Sequence, residues 1–113
     1  MIISKETQHK LSIDAAKLIK NSLGKGPKDV HVTVFNDKIT FTLSETLTPL
    51  EDQVLRKTHN TELIVTLRKE LTMCLIDDWR TLFRLYNLEV TSVEGDIDIN
   101  QNQGILIFTV INA

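Results

Sequence analysis

Apolar residues recur three or four apart from Thr61 to Tyr86, the longest stretch of helical period in the chain. Leu67, Leu71, Cys74, Leu75, Trp79, Leu82, Phe83 and Tyr86 fall on one stripe of a helix, with Arg68, Lys69, Glu70, Asp77, Asp78, Arg80 and Arg84 opposite. Such a helix has to bury its stripe, and the strand-like segments on either side are its partners. Residues 5–23 predict an earlier helix with a narrower apolar side, Leu11, Ala15, Leu18 and Ile19 or Ser22, and lysines facing away. Gly24-Lys25-Gly26-Pro27 ends it, because glycine takes the left-handed position after the last turn and proline cannot continue a helix.

The period changes to two from Val30 to Leu43. Asn36-Asp37 between β-branched runs predicts a hairpin, since both residues tolerate the positive φ of a type I′ turn. Pairing Phe35 with Lys38 sets Val34 beside Ile39, Val32 beside Phe41 and Val30 beside Leu43 on a core face. His31 then meets Thr42, and Thr33 meets Thr40, on a polar face. Thr48-Pro49-Leu50-Glu51 opens a short helix to about Lys57, with a threonine N-cap, a proline where no amide donor is needed, and a glutamate placed to reach back to the cap. Thr58-His59-Asn60-Thr61 interrupts it, Asn60 caps the long helix, and Asn87 supplies the left-handed residue at that helix's end. A second hairpin follows, Leu88–Ile99 and Ile105–Ile111 around the polar loop Asn100–Gly104, with Gly95 as a bulge.

The element order is therefore αββααββ. The fold class expected is α+β: a two-layer sandwich in which a four-stranded, mainly antiparallel sheet from two β-hairpins carries helices on one face. At 113 residues the chain is read as one domain, 1–113, with a globular balance of apolar and charged residues. No apolar run reaches the roughly 18 residues of a membrane span, and Met1-Ile2-Ile3-Ser4-Lys5 lacks the order of a signal peptide. The lone Cys74, on the apolar stripe, suits a reducing compartment. A soluble cytoplasmic protein is expected.

Charge adds a feature that the near-neutral total hides. Residues 1–28 hold six lysines against Glu6 and Asp14, a balance of +4. From Leu85 onward Glu89, Glu94, Asp96 and Asp98 stand without a basic residue, a balance of −4. Two solvated surfaces of opposite sign would account for this. A docking role for the basic helix, toward an acidic partner, an anionic surface or a second copy of the chain, is the sharper reading, and its candidate residues are Lys10, Lys17, Lys20 and Lys25.

No catalytic constellation assembles. The Gly24–Pro27 run follows a helix and precedes a strand, whereas a phosphate loop needs backbone amides at a helix start. An RNA-clamping loop of the KH type lies between two helices, so nucleic acid is not an expected partner. His9, His31 and His59 fall on three separate elements without a second ligand at metal spacing, so neither metal nor cofactor is expected. Asp77 and Asp78 diverge by about 100° on a helix. Asp96 and Asp98 share a strand face at about 7 Å and could hold a cation, although a solvated hairpin is the preferred explanation. Trp79, Phe83 and Tyr86 read first as core, and otherwise as a homodimer interface.

Several stretches, in order and spacing, resemble the MpsC-type, or YbcI-like, family of small bacterial proteins. They are Gly24-Lys25-Gly26-Pro27-Lys28 with Val30, Leu47-Thr48-Pro49 with Glu51, Glu62-Leu63-Ile64 leading to Arg68 and Leu71, and Leu106-Ile107-Phe108-Thr109. This chain has Asn60-Thr61 where the family pattern often has Gly-Arg, and Asn87 where it has glycine. The family is named for the third component of a sodium-translocating, membrane-potential-generating system. The resemblance implies a non-enzymatic accessory or regulatory protein beside a membrane ion or inorganic-carbon transport system. It would be held at the inner face of the membrane through a transport component rather than inserted directly, and no catalytic residues carry over. The alternative expectation is a small-molecule or ion-sensing module using His31, Thr33, Thr40 and Thr42 as its ligand face.

Overall fold

A computed structural model describes residues 3–112; Met1 and Ile2, read above as part of the chain start, lie outside the described residues. The elements are α1 (Lys5–Leu23), β1 (Asp29–Phe35), β2 (Lys38–Ser44), α2 (Pro49–Thr58), α3 (Thr61–Cys74), α4 (Ile76–Arg84), β3 (Leu88–Asp98) and β4 (Gln103–Asn112). The strands form one antiparallel sheet in the order β1-β2-β4-β3, with the helices on one side. α1 lies over β1, while α3 and α4 lie over β3 at the other edge.

The local signals act as their chemistry requires. Ser4 caps α1 by accepting from the Thr7 amide at 3.1 Å, and Gly24 closes it at φ 78°, donating its N–H to Lys20 O at 2.8 Å. Every expected pair of the first hairpin is present, from Phe35 opposite Lys38 to Val30 opposite Leu43. Of its two loop residues Asn36 has the positive φ, 54°, so the turn departs from the I′ pattern expected of both. α2 starts in the full capping box, Asn60 caps α3 by accepting from the Leu63 amide at 3.1 Å, and Asn87 is left-handed at φ 58°.

The long helix is two. It breaks at Leu75 (φ −94°, ψ 8°), which ends α3 and begins α4. The stripe also turns out differently in its first half. α3 buries Ile64, Arg68 and Thr72, whereas Leu67 is 49% exposed and Cys74 is exposed as well. α4 buries Trp79, Leu82 and Phe83 as the period required. An apolar count favours the Leu67 side of α3. A charged residue that finds a buried partner is invisible to such a count.

The main core is centred on Phe41, Trp79, Phe83 and Phe108, whose ring centroids lie 4.9 to 6.1 Å apart across five pairs, with Leu11, Ala15 and Ile19 of α1 closing one side. Trp79 and Phe83 are thus core residues and present no oligomer interface. A smaller cluster of Leu47, Ile64 and Ile97 lies beneath α2 and α3. The bulge in β3 falls between Val90 and Ser92 and not at Gly95. It shifts the core-facing parity of the strand from Leu88 and Val90 to Val93, Gly95 and Ile97, which sends Glu94, Asp96 and Asp98 to the open face.

Candidate functional site

The first surface is the outer side of α1. Leu11 and Ala15 are fully buried, so the 3.6-residue period turns Lys10, Lys17 and Lys20 to solvent. Lys10 shares its exposed position with Glu6, one turn earlier, at 3.6 Å. Lys25 stands apart from these. Its ammonium donates to the Leu47 carbonyl at 3.0 Å, tying the turn after α1 to the segment that leads into α2.

The second surface is the uncovered face of the sheet. There the register sets His31 beside Thr42 and Thr33 beside Thr40, and β4 adds the half-buried Ile105 and Ile107 opposite Thr42 and Thr40. Glu94 and Asp96 of β3 pair with Ile107 and Ile105. The face therefore grades from histidine and threonine through isoleucine to carboxylate. Asp96 accepts from the Ile97 amide at 2.8 Å and Asp98 from the Gln101 amide at 3.2 Å, so both are engaged with local backbone.

The third arrangement is buried, and the sequence reading placed its central residue in solvent. Asn102 fixes the approach to α2 by accepting from the Glu45 amide through its carbonyl and from the Leu47 amide through its side chain, both at 2.8 Å. This holds Thr46 against α3. Arg68 then donates from Nε and one terminal nitrogen to the two oxygens of Glu51, each at 2.7 Å. It also donates to the Thr46 hydroxyl at 2.9 Å and the Thr46 carbonyl at 2.5 Å. Glu51 meanwhile accepts from the Thr48 amide and hydroxyl at 2.9 Å, so one carboxylate both caps α2 and neutralises the arginine. Burial pushes the Glu51 carboxyl up, but the hydrogen bonds and charge of Arg68, with the hydrogen bonds of Thr48, outweigh it and hold the group below its ordinary 4.5.

Burial of an ion pair is tolerable only when its remaining donors are satisfied, and here they are. Among the described residues no buried side-chain nitrogen or oxygen lacks a partner. The pair consequently reads as architecture: it ties the segment after β2 to α2 and α3. Two signals pointed to it, a glutamate committed to a cap and an arginine in phase with Ile64 and Thr72 on one helix face.

An apolar cavity of about 40 Å³ lies between α1, α3 and β4, lined by Ile19, Leu71, Trp79 and Leu106, with room for little more than one water. Tyr86 donates to Asp14 at 2.5 Å, pinning the end of α4 to α1; its own burial and that acceptor push its hydroxyl up to about 12. His9, His31 and His59 are exposed on α1, β1 and the end of α2.

Fold and surfaces together define a small two-layer α+β protein with a basic helix on one side and an open sheet face on the other. Among the described residues no helix is long and apolar enough to cross a membrane. The chain belongs to the MpsC family, described as a Na+-translocating membrane potential-generating system, whose pattern matches residues 4–112. No curated protein and no solved structure matches the chain.

Proposed function

We propose that this protein is a non-catalytic accessory or regulatory subunit that docks, from the cytoplasm, on a membrane-bound ion-translocating component through the lysine face of α1. The observation that carries the reading is the outward alignment of Lys10, Lys17 and Lys20 opposite the buried Leu11, Ala15 and Ile19. The family description supports a membrane ion system as the setting. A cationic helix face gains affinity and on-rate from an acidic partner, and loses both in salt. Lys25 contributes less than the other three, because its ammonium is already engaged.

The test is affinity capture of the tagged chain at native expression level from gently solubilised cells, with mass spectrometry of co-purifying proteins. Recovery of a transport subunit, lost when Lys10, Lys17 and Lys20 are reversed to glutamate, is the expected outcome. Recovery of the chain alone, or identical recovery from the reversed variant, counts against it.

A second reading has its own support. His31, Thr33, Thr40 and Thr42 lie together on the open face, as a site for a small polar ligand or an ion would require. It predicts a melting temperature that rises with one ligand of a small-molecule and ion panel, and a rise that His31→Ala with Thr40→Ala removes.

A further inference from the structure

The two edges of the sheet are built differently. β3 carries a bulge and four carboxylates, Glu89, Glu94, Asp96 and Asp98, all devices that discourage pairing with another strand. β1, Asp29-Val-His-Val-Thr-Val-Phe35, has no bulge, no proline and no lysine.

Its free groups can be identified. The Val110 amide donates to the Asp37 carbonyl at 2.9 Å, and the Glu45 amide to the Asn102 carbonyl at 2.8 Å, so odd-numbered residues of the β2 ladder bond toward β4. Even-numbered residues of β2 therefore bond toward β1, through His31, Thr33 and Phe35. By alternation the N–H and C=O groups of Val30, Val32 and Val34 point away from the sheet. Among the described residues none of these groups takes part in a backbone hydrogen bond outside the sheet. The same three valines are only half-buried beneath α1, although their side chains face the core.

We infer that β1 pairs with β1 of a second copy, antiparallel about Val32, to make a two-fold dimer with a continuous eight-stranded sheet. The strand is self-complementary in that register. Val32 faces Val32 of the second copy and Val30 faces Val34, and all of these are residues with outward-directed backbone groups. His31 faces Thr33 on the open side, and Asp29 faces Phe35, so no like charges meet. The helix above permits it. Asp14 of α1 bonds Tyr86 on the side toward α4. Ser12 and Ala16 therefore lie on the opposite flank, over the β1 edge, with small side chains at the middle of α1, while Lys5 and His9 share that flank nearer the helix start. Lys10 and Lys17 of α1 stay outward, so the dimer presents two basic faces.

Sedimentation of the full chain from micromolar to submillimolar concentration tests this. A monomer–dimer equilibrium is expected. Val32→Pro removes a donor that makes no bond within one chain, at an edge position that accepts proline. It abolishes the dimer and leaves the circular dichroism spectrum unchanged. Should that variant unfold, His31→Lys with Thr33→Lys gives the same answer, because both sites are exposed in one chain and become opposed lysine pairs in the dimer. In a Cys74→Ser background, His31→Cys mixed with Thr33→Cys forms a disulfide-linked dimer on mild oxidation, and neither chain does so alone. A monomer at every concentration, a dimer indifferent to these variants, or an edge occupied by a different protein overturns the inference.

Discussion

Arg68 meets both carboxylate oxygens of Glu51 at 2.7 Å, with the two side chains only 10% and 5% exposed. Removing one member leaves the other charged in a site with little water to solvate it. Arg68→Ala should therefore cost about 3–5 kcal/mol in urea unfolding, the range for a broken buried pair. Arg68→Lys keeps the charge but not the two-pronged geometry, and should fall between wild type and alanine. Replacing the pair together, as Arg68→Met with Glu51→Leu, should recover only part of the loss, because Glu51 also caps α2. A loss under about 1 kcal/mol for Arg68→Ala, the level of an exposed pair, would show that the contact is solvent-screened.

The same pair sets an acid limit. The folded-state pKa of Glu51 is lowered, so its contribution is complete above the ordinary 4.5 and is lost as pH falls through the lowered value. Wild type should weaken steeply over that acid range. Arg68→Ala, less stable at neutral pH, should show a flatter dependence there, since the group that lowers the pKa is gone. Parallel stability–pH curves for the two proteins would remove Glu51 from the account.

At the alkaline end Tyr86 works in the opposite direction. Its hydroxyl is raised from 10 to about 12 by burial and by Asp14, so its contribution is complete below 10 and disappears as pH rises toward 12. Tyr86→Phe should be less stable at neutral pH for want of the bond to Asp14, and should lack this part of the alkaline loss. Every other group is common to both proteins, so the difference between their curves isolates the tyrosine. If the curves differ by a constant from pH 9 to 12, the hydroxyl is not held by Asp14.

Most of this architecture was legible because its signals are local. Gly24, Thr48, Glu51, Asn60 and Asn87 all act on backbone groups within a few residues, and the first hairpin fixed its register through a two-residue loop. What escaped was set at a distance. Arg68 is buried because Thr46 and Glu51, from a different part of the chain, surround it, and that inverted the inner face expected for α3 and left Cys74 exposed. The bulge at Val90–Ser92 is marked in the sequence by the change of apolar parity of β3 between Val90 and Val93, whereas Gly95, a residue type that often marks bulges, lies within the regular ladder. The surfaces were legible as charge and periodicity. Which residues of α1 are free and which are used internally, as Lys25 is, needed the packing.

Gly95 has a role other than a bulge, and it can be measured. A Cβ at this position would overlap Thr72 Oγ1 and crowd its Cβ at 3.1 Å, so something has to shift. Thr72 is itself fixed, buried in α3 and donating its hydroxyl to the Arg68 carbonyl at 2.9 Å, so it cannot swing aside freely. Gly95→Ala should thus cost about 1–3 kcal/mol, the range for forcing extra volume into a packed site. Thr72→Ala removes the nearest atom and leaves its own Cβ, so the double variant should be more stable than the sum of the single losses predicts, by about 0.5 kcal/mol or more. Strict additivity would mean that α3 does not pack on β3 at this point. The coupling reaches further than the two residues. The α3 backbone that Thr72 braces is the segment that presents Arg68 to Glu51, so Gly95→Ala should also flatten the acid-range stability curve toward that of Arg68→Ala.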